Sequence, residues 1–311
     1  MGIFQLVFDH LGNRSFVLEK VREDSKVEVP EGSQGWYMFT RGGEVCIAGY
    51  SLQKGCACVQ IHTTPFSNPT RFTISNTAGH GRYCFAYDSV FDRLVVFSEC
   101  DFFLYSLNLA TGQVSRHGVL DLPPQQPFSS TSVGRYAVDC AKDCIIITAI
   151  GTAPQDPLAA TVMTVYSVKL SGEVTDTTMI WSKTVEGFPY PEYADLSVKC
   201  DDLGELSRRI RLVACEGGES GCLEVDIIVR KTDGGIIHES VSPGRAGEFS
   251  RWLDIPEELK VSGAKLPEET SPFGPVVCVQ QRGKFIDILR TPWGSPSPKE
   301  LVLESFIIDL R

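Results

Sequence analysis

The sequence predicts an all-β protein that is built from repeated four-stranded units. Residues 79–114 hold three apolar, strand-favouring runs separated by turn residues, and a turn at 110–112 then reverses the chain into a fourth strand. Residues 166–174 (YSVKLSGEV) repeat the pattern of residues 105–114 (YSLNLATGQV), one residue shorter. Four short strands in a repeated unit of this length are typical of the blades of a β-propeller, which is the fold class we expect.

Composition limits the domain organisation and the partners. A chain of 311 residues that is 42% hydrophobic can bury a large core, and the repeats favour a single propeller domain over residues 1–311. The net charge of −10 argues against direct binding of nucleic acid or of an anionic membrane. The first residues lack a basic stretch followed by a long apolar one, so neither a secretory signal nor a spanning helix is expected.

Turn residues divide the chain into predicted strands and blades. In order, these are a strand pair at 3–8 and 15–21, whole blades at 36–75, 83–119, 136–183, 193–241 and 249–289, and a last strand at 301–310. The acidic, proline-containing segment 254–275 is expected to be a surface insertion within the fifth blade. We expect the last strand and the first pair to share a sixth blade and close the ring, which leaves no free sheet edge. Seven blades are the alternative that the length allows.

One predicted blade resembles a WD repeat. It has the GH pair at 79–80, Asp101 before the third strand and the TG pair at 111–112, with Tyr105-Ser106 in place of Trp-Asp. This resemblance to the WD-repeat-like propellers covers one blade well and the others poorly. It implies a buried hydrogen-bond network of His80, Ser98, Asp101 and Tyr105. It also implies a non-enzymatic scaffold that binds proteins as a subunit of a larger complex, a class that includes the mitotic-checkpoint and mRNA-export propellers.

The loops that join successive blades carry aromatic and arginine side chains. These residue types supply much of the binding energy of protein interfaces when they are desolvated, and a rigid ring would bring such loops to one face. The candidate partner-binding residues are Arg82, Phe128, Arg135, Phe188, Tyr190, Tyr193 and Arg245. We expect them to bind a short peptide or helix of a partner; the alternative is that the rings pack their own loops.

No motif specific for catalysis, metal binding or a cofactor is evident. Residues 218–221 (GESG) miss the G-x-S-x-G nucleophile motif by one residue, and no phosphate-binding glycine loop is present. Aspartates that recur in three blades are explained by turn chemistry better than by a ring of metal ligands. We therefore expect no enzymatic activity, no metal, no cofactor and no small-molecule ligand. The alternative is a propeller enzyme of the lactonase or cyclase type that acts in the central channel.

The cysteines bear on the cellular compartment. There are eleven, an odd number, and most lie inside apolar strand patterns, namely Cys46, Cys84, Cys140, Cys200, Cys215 and Cys278. Buried thiols without zinc-ligand spacing are typical of reduced structural cysteines. We therefore expect an intracellular, reducing compartment, either cytoplasm or nucleus.

Overall fold

A computed structural model describes residues 3–4, 16–20, 25–53, 55–66, 68–75, 81–99, 101–120, 135–152, 161–171, 174–185, 194–215, 222–244, 276–292 and 299–310. The elements formed by these residues are β-strands joined by turns. No helix long and apolar enough to span a membrane occurs among them. The chain divides into two compact units, Met1–Gly79 with Gly247–Arg311, and His80–Ala246.

The N-terminal part of the first unit contributes a complete four-stranded sheet. The first seven strands are β1 (Ile3–Phe4), β2 (Phe16–Lys20), β3 (Ser25–Glu28), β4 (Ser33–Arg41), β5 (Glu44–Gln53), β6 (Cys56–Thr63) and β7 (Thr70–Ser75). Strands β4 to β7 pair antiparallel in chain order. The predicted hairpin between β4 and β5 turns at Gly42 and Gly43, whose φ angles of 58° and 86° are those that glycine adopts without steric cost.

The second unit consists of three four-stranded antiparallel sheets. Its strands are β8 (Tyr83–Asp88), β9 (Arg93–Ser98), β10 (Phe103–Asn108), β11 (Val114–Val119), β12 (Arg135–Cys140), β13 (Ile145–Thr152), β14 (Thr161–Ser171), β15 (Val174–Val185), β16 (Asp195–Asp202), β17 (Ser207–Cys215), β18 (Cys222–Arg230) and β19 (Ile236–Gly244). Each sheet takes four consecutive strands in chain order. The first strands of the three sheets are neighbours, because β12 contacts both β8 and β16.

The core of the second unit lies between adjacent sheets, and β13 is shared by two core clusters. Ile145 and Ile147 pack with Phe97 toward the β8–β11 sheet. Ile146 and Ile150 pack on the opposite face, toward the β16–β19 sheet. A strand that is apolar on both faces therefore connects the two clusters, as its sequence without alternation predicts. Burying one isoleucine side chain contributes about 1.5–3 kcal/mol.

The C-terminal part of the first unit forms the fifth sheet. Its strands are β20 (Val276–Arg282), β21 (Phe285–Arg290) and β22 (Glu300–Leu310). One edge of β22 pairs with β21, while the other edge pairs with β3 along its first four residues and with β2 along its last five. The sheet thus has six strands, with β1 paired to β2 at its border.

The prediction of six blades was wrong. The described strands form five sheets, so the fold is an all-β propeller with five blades, and the alternative of seven is wrong as well. The error came from one strand: β22 completes the sheet of β20 and β21, whereas the prediction placed it with the N-terminal pair in a further blade. The described strands therefore form no separate blade that closes the ring. The predicted insertion at 254–275 lies outside the described residues, and the single-domain organisation stays a prediction.

One cysteine prediction is also corrected. Cys215 and Cys222 form a disulfide between directly opposed positions of β17 and β18, with Cα atoms 4.2 Å apart. Cys215 was expected to be reduced because it ends an apolar strand, a pattern that cannot show which residue lies across the hairpin. The other five cysteines assigned to the core form no disulfide among the described residues. The reducing compartment stays a prediction.

Candidate functional site

Two of the predicted partner-binding residues stand at the starts of neighbouring strands. Arg82 immediately precedes β8 and is exposed, and Arg135 is the first residue of β12 and is partly buried. The other five, namely Phe128, Phe188, Tyr190, Tyr193 and Arg245, lie outside the described residues. The partner-binding role of the whole set stays a prediction.

The predicted hydrogen-bond network is described in three of its four positions. Ser98 and Tyr105 are buried, and Asp101 accepts a hydrogen bond from the backbone N–H of Phe103 at 3.4 Å. Burial raises the pKa of Tyr105, and the negative charge of Asp101 raises it further. His80 lies outside the described residues, so the network as a whole stays a prediction.

Beside these residues, β8, β9 and β12 bring together a group that sequence reasoning missed. Glu99 follows β9, and its backbone N–H donates to the carbonyl oxygen of Arg82 at 2.9 Å, which continues the β8–β9 pairing by one position. The Cys84 thiol lies 3.1 Å from Glu99 Oε1 and 3.2 Å from the backbone oxygen of Tyr136, as a donor to both. The thiol therefore connects the carboxyl group to the neighbouring strand β12. We call Arg82, Cys84, Glu99 and Tyr136 the Glu99 cluster.

The protonation of Glu99 is set mainly by its burial. Removal from water raises its pKa from 4.5 to about 7, because an ionised carboxylate loses solvation in the protein. Hydrogen bonds from Cys84 and from the backbone of Tyr136, together with the charge of Arg82, act in the opposite direction without cancelling the effect of burial. Near neutral pH this side chain is therefore divided between its acid and its conjugate base.

The two neighbours of Glu99 remain protonated under the same conditions. Burial raises the pKa of the Cys84 thiol well above its usual range, and the charge of Glu99 raises it further. Burial likewise raises the pKa of the Tyr136 phenol. Glu99 is therefore the member of the cluster that can exchange a proton near pH 7, and it remains partly exposed.

Sequence reasoning missed Glu99 because an acid after an apolar strand has no motif. The residues before it, LVVFS, are buried. A glutamate that follows such a strand is ordinarily interpreted as a solvated carboxylate at the strand end. The sequence did contain one signal for this site, because pairing of β8 with β9 in a hairpin brings Glu99 opposite Arg82. Its burial depends on Tyr136, which is 37 residues away in the chain and belongs to another blade.

Two of the aspartates that recur in the second unit, Asp88 and Asp202, take part in a turn and in ion pairs. Asp88 accepts hydrogen bonds from the backbone N–H groups of Val90 and Phe91, at 3.1 and 3.3 Å, and pairs with Arg93 at 2.9 Å. Asp202 pairs with the buried Arg208 at 3.2 Å. In the part of the chain that the structure describes, no group of three or more His, Cys, Asp or Glu could hold a metal ion.

The comparisons with known proteins assign no family to this chain. No protein-family model matches the sequence, and no curated protein matches it. A solved structure with a similar fold is the catalytic domain of the Coprinopsis cinerea GH62 α-L-arabinofuranosidase, at 8% identity and a TM-score of 0.44, covering 90% of this chain and 94% of that one.

Two further similar structures are of different kinds. The N-terminal domain of Nup159 matches at 12% identity with a TM-score of 0.35, over 87% of this chain and 75% of that one. A thermostable family-43 glycoside hydrolase matches at 11% identity with a TM-score of 0.35, over 91% of both chains. Similarities at this level concern the fold alone.

The prediction that the protein is not an enzyme is corrected. Glycoside hydrolases and peptidases are among the solved structures of similar fold, which contradicts that prediction. The absence of a sequence motif is not evidence against catalysis, because catalytic groups can be assembled from distant strands without a sequence pattern.

Proposed function

We propose that this propeller is an enzyme in which Glu99 is the acid–base group. The observation that carries the proposal is the Glu99 carboxyl, held by Cys84 and Tyr136, with its pKa raised to about 7 by burial. A catalytic acid or base works best when its pKa lies near the operating pH, because both protonation states are then available. Carboxyl groups with pKa values shifted in this way occur preferentially at functional sites.

Arg82 provides a second chemical function beside the carboxyl. Its side chain is exposed, and its charge is close enough to lower the pKa of Glu99. A guanidinium in this position can hold an anionic group of a substrate or stabilise negative charge that develops on oxygen. Glu99 and Arg82 together suit hydrolysis, in which a proton is transferred at one atom while charge builds up on another.

The test is a screen of chromogenic esters, glycosides, phosphates and aminoacyl anilides over a pH range from about 5 to about 9. We expect turnover of one class, with a rate that changes through a pKa of about 7. A rate that rises with pH would assign Glu99 as the base, and one that falls would assign it as the acid. Glu99→Gln should reduce kcat about 100-fold or more, because it removes the transferable proton and leaves a group of similar shape.

The matched control is Glu205→Gln, which changes an exposed carboxyl in the turn between β16 and β17. It should leave both the rate and its pH profile unchanged. Absence of turnover for every class, or equal turnover by wild type and Glu99→Gln, would contradict the proposal.

A second candidate function is binding of a protein partner, in the manner of WD-repeat-like propellers inside the cell. It is favoured by the position of Arg82 and Arg135 at the starts of adjacent strands, where one extended peptide could contact both. Affinity purification should retain a stoichiometric partner, and changing Phe128, Tyr190 and Arg135 together should release it without lowering the melting temperature. Retention of the partner by that triple variant would place the interface elsewhere.

A further inference from the structure

The first unit contains a groove that the Glu99 cluster does not involve. It lies between the β4–β7 sheet, which contributes Gln60 and Arg71, and the sheet that holds β3 and β22, which contributes Lys26 and Glu300. Its volume is about 720 Å³, within the range of small-molecule sites. Phe66 lines this groove and also a second cavity of about 410 Å³.

The side of the groove formed by β6 carries a buried acceptor for which the described part of the chain supplies no donor. Gln60 is 2% exposed, and its Oε1 atom has no hydrogen-bond partner among the described residues. His62, two positions along the same face of β6, is equally buried, and its Nε2 atom also has no partner there. Buried polar atoms are nearly always hydrogen-bonded, so a buried acceptor in the lining of a groove indicates a missing donor.

The charged residues around the groove indicate the charge of the ligand. Lys26 and Glu300 neutralise each other through an ion pair of 2.8 Å. Arg71 is exposed and stands directly opposite Gln60 in the β6–β7 pairing. Its charge acts on this face, because burial lowers the pKa of His62 and Arg71 lowers it further. Arg71 is thus the cation best placed to receive an anionic group.

The spacing of these two side chains limits the ligand. Directly opposed residues of an antiparallel pair have Cβ atoms about 5 Å apart on the same face of the sheet. One small occupant can therefore present a hydrogen-bond donor to Gln60 and an anionic group to Arg71. Arginine binds carboxylates through two parallel N–H groups, which favours a carboxylate as the anion. The ring of Phe66, which the backbone presents at a φ of 62°, offers an apolar surface beside them.

We propose that the groove binds a small carboxylic acid with a hydroxyl or amino group on its α carbon and an apolar side chain. The carboxylate pairs with Arg71, the α substituent donates a hydrogen bond to Gln60 Oε1, and the side chain packs against Phe66. The hydroxy and amino forms share this chemistry. Glu28, which also lines the groove, is an acid that would favour the charged amino form.

The test uses three probes with one carbon skeleton, namely phenyllactate, phenylalanine and hydrocinnamate, the last of which lacks the α donor. Calorimetric titration of the full-length protein should give a Kd for phenyllactate or phenylalanine that is at least about tenfold lower than that for hydrocinnamate. Tighter binding of phenylalanine would assign the amino form, and tighter binding of phenyllactate the hydroxy form. Equal Kd values for all three probes, or no binding of any, would overturn the proposal.

Two variants separate the proposed contacts. Gln60→Leu keeps the shape and removes the acceptor, so it should abolish the preference for the α donor. Arg71→Gln should raise the Kd of all three probes by about tenfold or more. Because Arg71 is exposed, we expect this variant to fold, and it therefore tests the proposal even if Gln60→Leu does not fold. The control Lys284→Gln removes an exposed cation outside the groove lining and should change nothing. Unaltered binding by Arg71→Gln would refute the assignment.

Discussion

Glu99→Gln should change how the stability of the protein depends on pH. The carboxyl has a pKa of about 7 in the folded chain, against an ordinary value of 4.5. Below pH 4.5 the carboxyl is protonated in both the folded and the unfolded state, so it does not make the free energy of unfolding depend on pH. As the pH rises from 4.5 to about 7, the unfolded chain releases this proton first, so the free energy of unfolding falls. Above pH 7 the loss is complete.

The magnitude follows from the size of the pKa shift. One pKa unit corresponds to about 1.4 kcal/mol, so the full shift amounts to about 3 kcal/mol. Because Glu99 is partly exposed, solvent screening reduces our expectation to about 2 kcal/mol. The uncharged amide of Glu99→Gln escapes this loss, and the variant should be more stable than the wild type by about that amount at pH 8.

The assay is urea unfolding followed by circular dichroism at a series of pH values from about 4 to about 8, for wild type and variant. The difference between the two curves should grow between pH 4.5 and 7 and then remain constant. Glu205→Gln, at an exposed position, should follow the wild type throughout. Parallel curves for the wild type and Glu99→Gln would refute both the burial argument and the choice of Glu99 as the acid–base group.

Three further predictions concern single contacts, each measured as a change in the urea midpoint. Gly49→Ala should destabilise the first unit by about 1–3 kcal/mol, because the added Cβ would lie 2.3 Å from the Trp36 ring. Arg208→Gln should cost about 1–3 kcal/mol, because it removes a buried guanidinium that pairs with Asp202 at 3.2 Å. Asp101→Ala should cost about 1 kcal/mol through the lost backbone hydrogen bond at 3.4 Å, and more if the predicted network exists.

Each of these predictions has a matched comparison. Gly49→Ala should be tolerated better in a Trp36→Leu background, since the clash is with the indole. Arg230→Gln, which breaks an exposed pair with Asp233, should cost less than about 1 kcal/mol. An unchanged urea midpoint for Asp101→Ala would contradict the WD-type network. If Arg230→Gln lowers the free energy of unfolding as much as Arg208→Gln does, burial does not determine the strength of these ion pairs.

The sequence by itself determined the strands and the turns, because both depend on neighbouring residues. The prediction placed the first whole blade at 36–75, and β4 to β7 extend from Ser33 to Ser75. The apolar run at 144–150 lacks alternation, which predicts burial on both faces, and its residues are buried. Side-chain periodicity and turn chemistry are local properties, which is why these features could be predicted.

Tertiary structure decided the number of blades and the candidate sites. Strand β22 has apolar residues suited to any sheet, and only its pairing with β21, β2 and β3 shows that it completes the fifth blade. Glu99 and Gln60 look like ordinary polar residues in the sequence. Their chemistry arises in the folded chain, where Glu99 lies beside Tyr136 of another blade and Gln60 is 2% exposed. Burial of a polar group is a property of its spatial neighbours, and these come from distant parts of the chain.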